Sequence, residues 1–483
     1  METKSGAQIS RKAFVQSVAI LLALMTIAGL LTLLVPAGSY ARVEMEGREV
    51  VDPASFQYTA RPAYPIWRWF TAPIEVLWSP DSLTIIVVGL FILMVGSAFA
   101  VLDASGILRA VLGRVVRALG GRKYLLLLIV TFLFMSLGAF FGLFEEVVPL
   151  VPVMIGLSYS MGWDSLVGLG MSILATNLGF SAAITNPFTI GVAQRIAGLP
   201  LFSGAWLRVP ILLAVYAVLS IFLVRYARRI ERDPARSPVF AEDRAGRQKY
   251  GGFDLTAPGS QDPRLGRAAT WFLAFFALIV LVLVAGPFVP ALSDFALPIV
   301  GLLFLVGGVG AGLISGFGGR KVLKTLWEGI LGIAPGIPLI LMAVSIKHIV
   351  AQGGILDTIL YAASQLFANA SPFLAALMVY VLALAIEFFI GSGSAKAFLM
   401  MPILVPLADL VGVTRQVTVT AYCFGDGFSN MAYPTSPVLL ICLGLTVVTY
   451  AKWMRWTLKL WLWVLLLTVI FLGLAVAIGY GPF

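Results

Sequence analysis

The chain has 483 residues, 60% of them hydrophobic and only 12% charged, with a mean hydropathy of +0.98. A water-soluble fold of this length has too little interior to hide so much apolar surface, which excludes a soluble enzyme or binding module. The net charge of +10 does not signal nucleic acid, because the basic residues gather in short loops between apolar runs, where they set orientation in a membrane.

Lys4, Arg11 and Lys12 place the N-terminus on the cytoplasmic side. The first apolar run, 14–36, is too long for a signal-peptide core and reads as a retained helix crossing outward. Residues 38–80 form an external loop with Trp67, Trp69 and Trp78 suited to the membrane interface. Run 82–103 returns inward, and the amphipathic stretch 105–120, with Arg109, Arg114 and Arg117, lies along the cytoplasmic surface. Segment 123–160 is apolar but interrupted by Gly138, Gly142, Glu145, Glu146, Pro149 and Pro152. It reads as a spanning helix plus a re-entrant piece, or as a hairpin that enters and leaves on the cytoplasmic side. Charge favours the hairpin: with 164–198 crossing outward and 206–225 returning, the Arg-rich loop 226–267 stays inside. That loop also holds Pro, Gly and Ser and is the natural linker between two halves.

The second half follows the same order. Runs 268–286 and 294–316 cross out and back, leaving Arg320, Lys321 and Lys324 inside, and 328–350 crosses outward. Stretch 354–369 is amphipathic without Lys or Arg and is expected on the outer surface. A second interrupted segment, 371–408, enters from outside, 414–447 crosses inward, and the last helix ends outside at Phe483. At a near-constant offset, Gly106-Ile107-Leu108 matches Gly354-Ile355-Leu356, Pro152 matches Pro402, Gly162 matches Gly412, Thr185-Asn186-Pro187 matches Thr435-Ser436-Pro437, and Trp206 matches Trp456.

The expected fold is therefore an all-α polytopic membrane protein built from two inverted-topology repeats. The divisions are 1–81, an N-terminal helix and external loop; 82–226, the first repeat, with hairpin 123–160 and broken helix 164–198; 227–267, the basic linker; 268–327, connecting helices; and 328–483, the second repeat, with hairpin 371–408 and broken helix 414–447.

Four irregular patches fall at mid-membrane depth: Gly142 to Glu146, Asn177 to Ser181 running on to Pro187, Gly391 to Lys396, and Gly425 to Asn430 running on to Pro437. Such backbone is tolerated in lipid only where it is buried in protein or lines a polar cavity, and freed carbonyls and helix N-termini there can hold ions. A charge at the bilayer centre costs roughly 2.5–3.5 kcal/mol on insertion scales, so Glu145, Glu146, Glu387, Lys396 and Asp426 need a reason to be there. The candidate solute- or ion-contacting residues are Glu145, Glu146, Asn177, Ser181, Thr185, Asn186, Ser392, Ser394, Lys396, Asp426, Asn430, Thr435 and Ser436. Glu146 is the repeat counterpart of Lys396. The pair either recognises a zwitterionic solute across one cavity, its amino or guanidinium group on Glu145 or Glu146 and its carboxylate near Lys396, or forms a structural bridge. Asp426 either joins the site or only hydrogen-bonds backbone in the break. Glu387 reads equally as a surface residue of the hairpin. Lys347 and His348 are expected to snorkel at the outer end of their helix.

The sole histidine, His348, leaves no multi-His zinc site and little room for Ser-His catalysis; the two cysteines, Cys423 and Cys442, lie in an apolar region and give no disulfide framework. No cofactor and no catalytic residue is expected, and the coupling ion is read as Na+, at the tips and breaks, or H+.

The broken segments carry a resemblance. Gly142-Leu143-Phe144-Glu145-Glu146-Val147-Val148-Pro149, the stretch Ile184 to Gln194, Gly391-Ser392-Gly393-Ser394-Ala395-Lys396 with Met401-Pro402, and Gly425-Asp426-Gly427-Phe428-Ser429-Asn430 resemble YfcC-type carriers. These belong to the DcuC group of anaerobic dicarboxylate carriers and arginine/ornithine-type antiporters, within the ion transporter superfamily. The resemblance covers nearly the whole chain. It implies a homodimer in a bacterial-type inner membrane, with two opposed hairpins and elevator-like alternating access. The acidic first tip departs from the Ser-Asn-Thr tips of the sodium-coupled dicarboxylate branch and fits a basic amino acid or related amino compound. A dicarboxylate carrier is the alternative within transport. A membrane-embedded enzyme is the rival class, against which stands the lack of zinc, nucleophile–His and nucleotide-loop motifs; a channel is a third.

Overall fold

The computed structural model describes residues 11–45, 48–80, 82–108, 110, 111, 114, 122–250, 263–285, 295–367 and 370–481. Among them, nine helices are long and apolar enough to cross a bilayer. α1 (Arg11–Leu34) leads into the external segment, which is not wholly irregular. There β1 (Gly38–Ser39) pairs antiparallel with β4 (Gln57–Tyr58), β2 (Arg42–Met45) pairs with β3 (Arg48–Val51), and α2 (Trp67–Glu75) follows. The all-α expectation is corrected by these two ribbons, whose Val43, Val50 and Val51 favour extended backbone. Trp69 is also corrected. Gly29 of α1 admits its indole so closely that a Cβ there would lie 2.2 Å from it, and Trp69 is buried, whereas Trp67 and Trp78 are exposed.

α3 (Ser82–Ala104) follows. The amphipathic stretch 105–120 lies mostly outside the described residues; within it, the Arg114 guanidinium donates to the Gly266 carbonyl at 3.1 Å. α4 (Lys123–Ser136) widens into a π turn at Leu137–Phe141 and stops at Gly142, whose φ of +69° only glycine adopts freely. A tight turn at Glu145–Leu150 then enters α5 (Val151–Ser160), with Pro152 in its first turn, where a missing N–H costs nothing. The Tyr124 and Trp163 rings lie 5.8 Å apart, so the two ends of segment 123–160 stand side by side.

α6 (Ser165–Ser181) is capped by Asp164, which accepts from the Val167 N–H at 3.0 Å. It breaks at Ala182 and resumes as Pro187–Gly191 and α7 (Val192–Ile196). α8 (Ala205–Arg232) and α9 (Arg244–Tyr250) precede α10 (Pro263–Ala285), α11 (Ala296–Ile314) and α12 (Gly319–Ile333); α11 and α12 pack on α3, and α10 packs on α11. α13 (Gly336–Gln352) packs on α1, and α14 (Leu356–Phe367) caps the ribbons. The second interrupted segment is α15 (Pro372–Glu387) and α16 (Gly393–Leu410). α17 (Arg415–Phe428) breaks before α18 (Pro437–Gly444), and α19 (Tyr450–Ala477) is the last helix.

Glycines let the interrupted helices cross without intervening side chains. A Cβ on Gly179 of α6 would lie 1.8 Å from the Met135 carbonyl oxygen, and one on Gly427 of α17 would lie 2.2 Å from the Ser181 hydroxyl.

α19 has 28 residues, about 42 Å at 1.5 Å per residue, and serves as a ruler. At its start, Lys452 pairs with Glu242 at 2.5 Å, and the adjacent Asp243 accepts from the Tyr159 hydroxyl (2.7 Å) and the Ser165 N–H (2.8 Å), at one end of segment 123–160. Phe373 packs on Gly473 near the C-terminal end of α19, and just beyond that end the Tyr480 carbonyl accepts from the Thr414 hydroxyl at 2.6 Å. The first interrupted segment thus opens at one end of α19 and the second at the other. On a further face, Asp357 of α14 accepts from the Tyr40 N–H at 3.0 Å and pairs with Arg42 at 2.9 Å, tying α14 to the ribbons.

Candidate functional site

The two tips approach each other around a cavity of about 390 Å³. The first tip contributes Gly142, Phe144, Glu145 and Glu146; the second contributes Glu387, Phe388, Ser392 and Ser394; the break after α17 contributes Asn430, Tyr433, Thr435 and Ser436; α13 contributes Lys347. Apolar walls come from Phe180, Phe188 and Phe388, with Phe144 tilted on Phe180 at 5.7 Å and Phe388 on Tyr433 at 5.5 Å.

Local sequence explains each placement. Gly142 ends α4 with a left-handed turn, and a Cβ there would fall 2.3 Å from Asn186 Oδ1, so the first tip and the first helix break are packed against each other. The Thr185 hydroxyl donates to the Phe140 carbonyl at 2.8 Å, and the Ile184 N–H to the Ala139 carbonyl at 2.8 Å, closing the same junction. Asn186 caps the resumed helix, its Oδ1 accepting from Phe188 N at 2.9 Å. Glu145 is exposed to the cavity and Glu146 half-buried; Glu146 Oε2 accepts from Phe144 N at 3.1 Å. Neither acid has an ion pair among the described residues.

Behind the second tip lies a dry cluster. The Lys396 ammonium, wholly buried, contacts the Glu387 carboxylate and lies 2.7 Å from Asp426 Oδ1. The Tyr422 hydroxyl donates to the Gly393 carbonyl and holds the start of α16 against α17. Ser392 and Ser436 stand at the N-termini of α16 and α18, so two positive helix ends open on the cavity.

The structure brings Glu145, Glu146, Ser392, Ser394, Asn430, Thr435 and Ser436 to the cavity wall. It does not bring Asn177, Ser181, Thr185, Asn186, Lys396 or Asp426 there. Asn177 and Ser181 are helical residues of α6, and Asp426 is a helical residue of α17, so both breaks begin later than the irregular patches suggested. Asp426 is not spent on break backbone through its carboxylate; it faces Lys396. The expected Glu146–Lys396 relation is corrected, because the ammonium already sits between two nearer carboxylates. Glu387 is buried rather than at the surface, and Lys347 lines the cavity instead of snorkelling. His348 instead faces Glu75 at 3.3 Å. Glu387 and Lys347 were missed as site residues; the available signal was an ionisable side chain inside an apolar run. No group of three or more His, Cys, Asp or Glu is placed to hold a metal ion among the described residues.

The DcuC family, described as the C4-dicarboxylate anaerobic carrier, matches residues 14–477. The chain belongs to the DcuC family. This DcuC-family chain is 30% identical over 467 residues to the candidate basic amino acid antiporter YfcC of Escherichia coli strain K12, covering 89% of this chain and 90% of YfcC. It is 26% identical over 375 residues to an uncharacterised protein of Haemophilus influenzae, covering 77% and 71% of the two chains. Among solved structures it resembles the YdaH transporter of Alcanivorax borkumensis, with a TM-score of 0.44, 18% identity and 97% and 100% coverage. It also resembles MtrF of Neisseria gonorrhoeae, with a TM-score of 0.41, 17% identity and 95% and 94% coverage. As a DcuC-family protein with nine apolar helices of spanning length among its described residues, the chain is a multi-pass membrane transporter.

Proposed function

We propose that the chain is a secondary transporter of a basic amino acid or a related amino compound, working by uptake or exchange in a bacterial-type inner membrane. The observation that carries this reading is the charge of the cavity wall. Two carboxylates, Glu145 and Glu146, face it on the same wall as the Lys347 ammonium, while the Glu387 carboxylate behind the second tip is taken up by Lys396. Lining the cavity and without an ion pair among the described residues, Glu145 and Glu146 are the natural partners for a guanidinium or amino group. The solute carboxylate has Lys347 and the positive N-terminal ends of α16 and α18, whose Ser392 and Ser436 caps each take up one backbone N–H. The likeness to YfcC supports the same choice.

The family description favours a second reading, a C4-dicarboxylate. A dianion would meet two like charges at the first tip, which costs affinity unless both are protonated. Counterflow in proteoliposomes separates the two: arginine or ornithine inside should drive accumulation of labelled arginine, and succinate should not. Succinate-driven counterflow without arginine counterflow would overturn the reading.

The motion we propose is elevator-like alternating access by two inverted repeats in a homodimer. Its support is the opening of the two interrupted segments at opposite ends of α19 and the meeting of their tips at one cavity.

A further inference from the structure

The second tip holds a charge arrangement that solute recognition does not explain. Lys396 is the first buried residue after the break, and its side chain is 0% exposed. Glu387, from the end of α15, and Asp426, from α17, approach it from two other elements with side chains 2% and 1% exposed. Among the described residues Asp426 Oδ2 accepts no hydrogen bond, so the ammonium is the compensation for that charge. Gly393 brings backbone close to the same carboxylate; a Cβ there would lie 3.1 Å from Asp426 Oδ2. Two ionised carboxylates in so dry a place are untenable: a cation between them balances one charge, and the remaining one is relieved by a proton shared between the carboxyls. In a carrier that cation has two sources. It is a free hard cation taken from water, coordinated by the oxygens, or it is covalently part of the chain. The residues at this tip do not fit the first, because the space between the carboxylates is filled by Lys396 Nζ.

We propose that Lys396 is a tethered counter-ion: its ammonium fills a cation cage formed by Glu387 and Asp426, so the second tip carries its own positive charge through the cycle and does not exchange it for sodium. Lysine suits this task. Its ammonium is a compact point charge on a flexible stem, close in role to a monovalent ion, where a planar guanidinium would need a wider space. The break before Gly393 lets the stem enter the protein at once, since the chain turns from Ser392 directly into α16. The charge therefore stays with the hairpin wherever the hairpin moves. This reading goes beyond the choice of solute and does not depend on it.

The test is thermal unfolding of the purified full chain, read by tryptophan fluorescence, in NaCl, methylammonium chloride or choline chloride at one ionic strength. The wild type is expected to unfold at the same temperature in all three. K396A, with an emptied cage, is expected to melt several degrees lower in choline and to recover saturably in methylammonium or sodium. E387Q/K396A/D426N, with the cage neutralised, is expected to regain most of the loss in choline and to lose the response. It also keeps the test decisive if K396A yields no folded protein, because recovery of folded yield then reports that the missing item was charge. A wild type stabilised by sodium over choline would overturn the proposal. So would a K396A chain that responds to neither cation, or a triple variant no better than K396A. None of these readouts uses solute, so failure here leaves the basic-solute reading standing, and the reverse.

Discussion

Glu145 and Glu146 are adjacent in sequence, face one cavity and form no ion pair among the described residues, and they are the groups proposed to meet the cationic end of the solute. E145Q and E146Q keep shape and remove one charge each. Each is expected to weaken arginine binding about tenfold, ~1.4 kcal/mol, as measured by scintillation proximity or calorimetry. E75Q is the control. Glu75 serves Arg68 at 2.7 Å on the α2 side and does not line the cavity, so its loss should leave arginine affinity within twofold. An unchanged affinity in both tip variants would remove the acidic tip from recognition. That these acids stand at a break was legible, because Gly142 and Pro149 bracket them in an otherwise apolar run. The partners of Lys396 were not legible. Glu387 is close in sequence but across a break, and Asp426 comes from another helix, so only packing joins them.

At the scale of elements, glycine and proline marked where helices are interrupted, while the extent of each break escaped sequence pattern. Asn177 to Ser181 and Gly425 to Phe428 stay helical because their glycines serve close helix crossings rather than turns. Nor could composition distinguish a linker from a docked element. Part of the basic linker is built in: Asp164 accepts from the Ser237 hydroxyl at 2.7 Å, and Asp243 is buried against Tyr159 and Ser165. Burial pushes the Asp243 carboxyl up to about 6 from its ordinary 3.8, with the Ser165 and Tyr159 hydrogen bonds opposing the rise. A carboxyl whose folded pKa is raised contributes stability that is full below about 4 and lost as pH rises through about 6. The docked linker is therefore expected to be held more firmly at pH 4.5 than at pH 7. Hydrogen exchange across 239–250, corrected for the intrinsic rate, should show greater protection at the lower pH in the wild type. D243N should flatten that dependence. Equal pH dependence in both chains would show that another group governs the docking.

For the molecule as a whole, contacts sort the chain ends of the elements into sets that must share a compartment. Lys123 and Tyr124 meet Glu231, Tyr159 and Ser165 meet Asp243, and Lys452 meets Glu242, so the start of α4, the α5–α6 turn, the linker and the start of α19 form one set. The Ala197 carbonyl meets Arg415, Gln194 meets Gln416, and Thr414 meets Tyr480, so the 197–204 loop, the start of α17 and the end of α19 form another. The two sets sit at opposite ends of α19, whose length of about 42 Å exceeds a hydrocarbon core of roughly 30 Å. The Arg-rich linker belongs to the first set, and by the positive-inside tendency we propose that this set is the cytoplasmic one. Cys423 and Cys442 are both buried, so a single introduced cysteine can be labelled over a low background. Leu201→Cys and Thr59→Cys, at exposed positions, are expected to react with a membrane-impermeant maleimide on intact cells, and Gln248→Cys only after permeabilisation. If Leu201→Cys and Gln248→Cys react from the same side, the two interrupted segments cannot open on opposite faces. A carrier whose tips meet midway between two compartments would then lose its geometric basis, because alternating access needs each tip to answer to a different side.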